Sequence, residues 1–228
     1  IVVWLLGVTI LTAVFFLRRL RFYRLARQAT PAPESLYQHA KIWQRRFRIR
    51  RPVRVKISES VSTAFTLGVF RPVVVLPADP AGHTGAVLAH ELAHIRRYDD
   101  AWIVLQNLIS IFYFFHPAVW LASRQIYISR ECICDSMVLA HRHIDRSAYG
   151  QSLINSITIA PRHAAGVGTL GFGGTKRAMK IRIRNLKETR MLKNSRWLFI
   201  GLVITAVFIL PMAGISLENQ STASTTTE

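Results

Sequence analysis

Three stretches of this sequence run for seventeen residues or more without a charged side chain, and basic residues border each of them. No other feature restricts the fold as much. The chain is half hydrophobic yet carries a formal net charge of +18. Separating the two properties along the chain is the pattern of a membrane protein rather than of an ordinary soluble domain. The first stretch, IVVWLLGVTILTAVFFL over Ile1–Leu17, is about as long as the shortest helix that crosses a bilayer. Its cations, Arg18, Arg19, Arg21, Arg24 and Arg27, follow the apolar run, whereas a signal peptide carries them ahead of it. A transmembrane helix over 1–17 that enters the cytoplasm at its C-terminal end is expected. The last stretch, Trp197–Leu217, rises roughly 30 Å as a helix, enough to cross again. Nine Lys or Arg between Lys176 and Arg196 face a single Glu188. Residues 18–196 are therefore expected on the cytoplasmic side, with a second transmembrane helix over 197–217. The polar, low-complexity residues 218–228 read as a tail or the start of an exterior region. Residue 1 is Ile, so a fragment or a processed chain is expected.

The middle stretch, Ala101–Ala122, contains Gln106, Asn107, Ser110, His116 and Pro117. It leaves room for one crossing and not two, and one crossing would put His94 and Glu131 on opposite sides of the bilayer. If both belong to one site, residues 101–122 must dip in and return, lie in the interface or be buried in protein. A membrane-associated or re-entrant helical hairpin broken near His116-Pro117 is expected, because proline disfavours helix at the residue before it.

Thirteen Lys or Arg between Arg18 and Lys56 suit nucleic acid or anionic lipid. The apolar helix just before them favours lipid headgroups, and no direct nucleic-acid binding is expected. The two cysteines, Cys132 and Cys134, are too close in sequence for a relaxed disulfide and read as small packed side chains.

AVLAHELAHIRRYDD, residues 86–100, holds His90, Glu91 and His94 in an H-E-x-x-H pattern. A helix is expected here, with Thr84 as its cap and an apolar stripe of Val87, Leu88, Leu92 and Ile95. On such a helix His90 and His94 point the same way, as two zinc ligands must. Glu91 lies about a third of a turn away, within reach of a water but not itself a ligand. A catalytic zinc takes a third protein ligand, and SRECICDSMVLAHRH offers Glu131 and Asp135, again four apart. One carboxylate would complete the metal shell and the other would accept the N–H of a ligand histidine. Upstream, PVRVKIS alternates Val53, Val55 and Ile57, and PVVVLP is a continuous β-branched run. These read as strands with a turn at Gly68, and a strand edge there would suit pairing with an extended peptide. The fold class expected is α+β, a small sheet with active-site helices flanked by transmembrane helices.

The order TAFTLGVFRPVVVLP, HELAHIRRYDD, FFHPAVW, ECICD and GTKRAMKIRIRNL resembles the membrane-embedded zinc metallopeptidases of the BlaR/MecR antirepressor type, over nearly the whole chain. The resemblance implies a gluzincin-like fold facing the cytoplasm of a bacterial inner membrane that the chain crosses more than once. It implies one zinc per chain on His90, His94 and Glu131, Glu91 as general base and Asp135 bonded to a ligand from behind. The activity implied is that of a zinc endopeptidase cutting a cytoplasmic protein such as a transcriptional repressor, in transmembrane signalling. In the family's best-known members an exterior penicillin-binding sensor follows the last helix. The sequence ends before the place where such a sensor would follow, and its first apolar run is expected to correspond to the family's second helix. A homodimer is compatible with this reading.

Tyr98, His141, His143 and Tyr149 are candidates for stabilising an oxyanion. GVGTLG and GGTK are read as linker, since no strand precedes the first and the second has the wrong order for a phosphate loop. Three other readings compete. An HtpX-like quality-control protease lacks a counterpart for H-P-x-x-W and E-x-x-C-D, and a non-catalytic zinc-fold receptor or scaffold would not need Glu91. An intramembrane protease is disfavoured by Arg96, Arg97, Asp99 and Asp100 just after the motif.

Overall fold

The computed structural model describes residues 1–78, 84–141, 144–159 and 176–188. The apolar run over 197–217, the tail, His143 and both glycine motifs lie outside these residues, apart from Lys176. The first helix, α1, spans Val2–Gln28 and is about 40 Å long. Among the described residues it is the one helix long and apolar enough to cross a membrane. The helix runs on past Leu17, where the apolar run ends. Phe22, Leu25 and Ala26 lie between the arginines and pack on Phe65, Leu67, Val73 and Val75 of the sheet, so tertiary packing carries the helix onward. Lys56 Nζ donates to the terminal carbonyl of Ala26 at 2.8 Å.

The sheet has four strands in the order β1-β2-β4-β3: β1 Thr30–Pro31, β2 Arg54–Ser58, β3 Phe65–Leu67 and β4 Val73–Pro77. The two apolar runs recognised in the sequence, β2 and β4, pair in parallel with Val55 opposite Val74. The Gly68 turn joins β3 to β4, which pair antiparallel; its φ of 92° suits a residue without Cβ. One face of β4, Val74 and Leu76, packs on helix α2 (Glu34–Arg46) and helix α3 (Thr84–Arg97). The other face, Val73 and Val75, packs on α1. Burial on both sides explains a continuous rather than alternating apolar strand. Leu88, Leu92 and Ile95 of α3 are buried in the same core. Thr84, expected as a cap, is the first helical residue.

The middle apolar stretch forms two antiparallel helices, α4 (Asp99–Phe112) and α5 (Pro117–Leu139). His116 caps α5, its ring accepting from Ala118 N at 3.2 Å, and Pro117 takes the first helical position, where its missing N–H costs nothing. The polar residues that looked awkward in an apolar run bond within the hairpin. Gln106 Nε2 donates to Ser123 O at 3.1 Å and Gln106 Oε1 accepts from Arg130 at 2.7 Å, while the Ser110 and Ser123 hydroxyls are 3.1 Å apart. Helix α4 runs antiparallel to α1, with Trp4 Nε1 on Phe112 O at 3.0 Å near one end and Arg19 on Asp100 at 2.6 Å near the other. Helices α6 (Arg146–Ile159) and α7 (Lys176–Glu188) contribute Tyr149 and Leu153 to the main core and Ala178 to a small cluster with Ile128 and Cys132.

Candidate metal centre

Five helices and one strand converge on a single cluster. Helix α3 presents His90 and His94 one turn apart, and their Nε2 atoms lie 3.2 Å from one another. Helix α5, returning antiparallel to α4, brings Glu131 alongside: Oε2 is 3.4 Å from His90 Nε2 and Oε1 is 3.6 Å from His94 Nε2. Zinc bonded tetrahedrally at about 2.0–2.1 Å separates its ligand atoms by roughly 3.3 Å. The spacing of the two nitrogens matches an edge of such a tetrahedron, the Glu131 carboxylate offers one oxygen toward each of them at a comparable distance, and the three residues form a group able to hold a metal ion. His90, His94, Glu131, Glu91 and Asp135 are thus brought together in one buried region, with Glu91 and Asp135 each below a tenth exposed.

The opposite nitrogen of each histidine is also engaged. His94 Nδ1 lies 2.7 Å from Asp99 Oδ2. His90 Nδ1 lies 3.1 Å from Asp135 Oδ1 and 3.0 Å from the Tyr149 hydroxyl, which itself donates to Asp135 at 2.7 Å. A carboxylate behind a ligand imidazole fixes the tautomer and leaves Nε2 as the electron-rich donor. Cys134 Sγ sits 3.3 Å from His94 Nδ1 and 3.6 Å from Asp99, packing behind the same histidine. His94, Asp99 and Cys134 make a second group of ligand type, but Asp99 already occupies the nitrogen it would use. Both cysteines are buried and free.

Arg182 of α7 closes the cluster from the far side. Its guanidinium meets Asp135 through Nε and Nη2, both at 2.8 Å, and Glu131 through Nη1 at 3.0 Å. Burial alone would raise both carboxyl pKa values, but Arg182 and His90 outweigh it: Asp135 is brought down to about 2 and Glu131 is held well below the usual carboxylate range. Burial likewise lowers the His90 pKa, yet its bonds to Asp135 and Glu131 prevail and raise it to about 10. Asp99 is lowered against its own burial by His94 and Arg97.

Glu91 is held from the sheet, where the Thr66 hydroxyl of edge strand β3 donates to Glu91 Oε2 at 2.7 Å. Phe65 and Leu67 face α1, so the alternation of the strand turns Thr66 to the opposite side. Thr66, Asp99 and Arg182 are site residues that the sequence reading missed. Asp99 counted only as one of the charges after the motif, and Arg182 only as a juxtamembrane cation. The oxyanion candidates fare differently. Tyr149 spends its hydroxyl on Asp135 and His90, His141 packs against the rings of Trp43 and Phe47, and Tyr98 lies under Arg51.

The family described as BlaR1 peptidase M56 matches residues 1–186. Similar proteins include regulatory protein BlaR1 of Bacillus licheniformis, 28% identical over 192 residues, and regulatory protein BlaR1 of Staphylococcus aureus, 21% identical over 226. These alignments cover 79% and 96% of this chain but 31% and 39% of the two relatives. The methicillin resistance mecR1 protein of Staphylococcus aureus (strain Mu50 / ATCC 700699) is 19% identical over 194 residues, 81% of this chain and 32% of its own length. That match spans the sheet, most of the helices and the residues able to hold a metal ion, and the chain belongs to the BlaR1 peptidase M56 family.

Proposed function

We propose that the chain is a membrane-anchored zinc endopeptidase of gluzincin-like fold that hydrolyses a peptide bond in a cytoplasmic protein, such as a transcriptional repressor, as a step in transmembrane signalling. The observation that carries the reading is the spacing of 3.2, 3.4 and 3.6 Å among the donor atoms of His90, His94 and Glu131. Bound there, zinc would act as a Lewis acid toward a carbonyl and its attacking water. Glu91 takes a proton from that water and returns it to the leaving amine, with Thr66 fixing the carboxylate. Asp99 and Asp135 hold the two imidazoles in the ligand tautomer, and Arg182 keeps the surrounding carboxylates ionised. An extended substrate adds to the open edge of β3, which sets its backbone beside Glu91.

The antiparallel pairing of α4 with α1 supports the membrane reading. Asp100 meets Arg19, two residues past the apolar run, while Phe112 reaches Trp4. Measured along α1, the hairpin travels about 20 Å into the apolar zone before α5 returns, and it exposes Trp102, Leu105, Phe112, Phe115 and Leu121. This re-entrant path keeps both halves of the site on the cytoplasmic side. The names of the relatives, which speak of regulation and methicillin resistance, support a signalling role.

Elemental analysis of detergent-purified protein tests the centre. About one zinc per chain is expected, lost in His90→Ala and Glu131→Ala and retained in Glu91→Ala, which should also lose cleavage of an unfolded casein substrate. Zinc content indifferent to Glu131, or cleavage surviving Glu91→Ala, would overturn the assignment.

A further inference from the structure

We infer that the peptidase domain carries a built binding pocket for the phosphate of an anionic phospholipid headgroup, formed where the C-terminal ends of α2 and α3 meet. A cavity of about 380 Å³ opens there, lined by Arg48, Ile49, Arg50, Arg51, Arg96 and Tyr98. All four charges are positive, and no lining residue is acidic. Arg51 is held in place, bonded to the carbonyls of Val69 and Ile95 and stacked 3.6 Å from the centroid of the Tyr98 ring. Its pKa is lowered, by burial and by the neighbouring Arg96. A phosphate would neutralise that crowding through charge-assisted hydrogen bonds.

The backbone gives an independent indication. Among the described residues, only two other than glycine have positive φ, Arg48 at 53° and Tyr98 at 60°, and both line this cavity. Arg48 follows α2 in a position that glycine normally fills: Ile49 N bonds to Gln44 O at 2.8 Å and Arg48 N to Arg45 O at 3.0 Å, the paired bonds of a Schellman cap. Tyr98 makes the equivalent left-handed turn between α3 and α4. Glycine would adopt both conformations without steric cost. The chain instead spends them on an arginine and a tyrosine that reach the same cavity.

Placement identifies the source of the phosphate. Tyr98 lies two residues before Asp100, the partner of Arg19 at the end of the apolar run. Trp102, 60% exposed, is one turn further along α4, and Phe70, 83% exposed, tips the turn whose Val69 carbonyl binds Arg51. Exposed aromatics beside arginines at the cytoplasmic edge of an apolar zone suit the headgroup layer. The inference rests on the membrane reading given under Proposed function.

Native mass spectrometry of the full chain in detergent, titrated with phosphatidylglycerol, phosphatidylcholine or inorganic phosphate, tests it. Retained phosphatidylglycerol should exceed phosphatidylcholine and resist millimolar inorganic phosphate. The double variant R50Q/R96Q should weaken it by about tenfold or more, while R146Q/K180Q, which removes two exposed cations outside the pocket, should leave it within about twofold. R48G should also reduce retention while leaving the thermal midpoint unchanged or raised, since glycine suits that backbone. Equal retention of both lipids, equal loss in the two double variants, or displacement by inorganic phosphate would overturn the pocket. So would an R48G protein that is less stable but binds as before. Release of the wild-type protein from membranes by alkaline carbonate would instead overturn the membrane reading beneath it.

Discussion

Replacing Arg182 by methionine removes a cation that meets two buried carboxylates at 2.8, 2.8 and 3.0 Å. The side chains are 12% exposed for Arg182, 3% for Asp135 and 13% for Glu131, so water cannot take over the lost interaction. Taking away one partner of a buried pair costs about 3–5 kcal/mol, because the charge left behind stays desolvated. For a domain of this size each kcal/mol moves the thermal midpoint by roughly 2–4 °C, which puts the expected fall between about 6 and 20 °C in chelator-treated protein. Zinc on Glu131 supplies compensating charge, so saturating zinc should recover part of the loss. Arg182→Lys restores the charge without the planar fork and should fall between the two. Thermal unfolding in detergent micelles, followed by tryptophan fluorescence with and without zinc, reads both effects. A midpoint within about 2 °C of wild type for the methionine variant without metal would refute the claim that Arg182 neutralises this cluster.

Three further outcomes are expected. Asp99→Asn should weaken zinc binding by about 10–100-fold, since it removes the carboxylate behind His94; competition with a chelating dye measures this, and unchanged affinity would deny Asp99 that role. Thr66→Val should lower kcat for casein with zinc content intact while Thr66→Ser retains it; loss of zinc in the valine variant would point to general disruption of the site instead. Because the His90 pKa is raised to about 10, its contribution to the stability of the zinc-free protein is fully present below its unfolded value near 6.5 and disappears as pH rises through 10. Zinc uptake at pH 7.5 must therefore displace about one proton from His90, seen as a calorimetric enthalpy that changes with the ionisation enthalpy of the buffer; no buffer dependence would contradict a protonated His90.

The parts of the site that sequence disclosed are those a helix encodes locally. His90 and His94, and Glu131 and Asp135, are four residues apart, so helical pitch alone aligns each pair. The hairpin break was legible for a similar reason, since proline acts on the residue next to it. Arg182 was not legible. It lies 47 positions from Asp135 amid other cations of the same chemistry, and only the packing of α7 against α5 separates it from them. Thr66 is an intermediate case: the alternation Phe65-Thr66-Leu67 implies that one side chain faces away from the other two, but the partner that makes it functional comes from a register no local pattern supplies. The full length of α1 was not legible, because hydropathy marks where apolar solvent ends, whereas helix length follows the contacts of Phe22, Leu25 and Ala26.

The continuity of α1 couples distant parts of the molecule mechanically. A rod about 40 Å long begins beside Trp4 and the tip of the hairpin and ends beneath the strand that carries Thr66. With no proline along its 27 residues to kink it, the helix would carry tilt and axial rotation as one body. A tilt of about 5° about one end would displace the other by roughly 3.5 Å, more than the length of the hydrogen bond between Thr66 and Glu91. A change in the tilt of α1 would therefore be felt at the strand whose Thr66 holds Glu91.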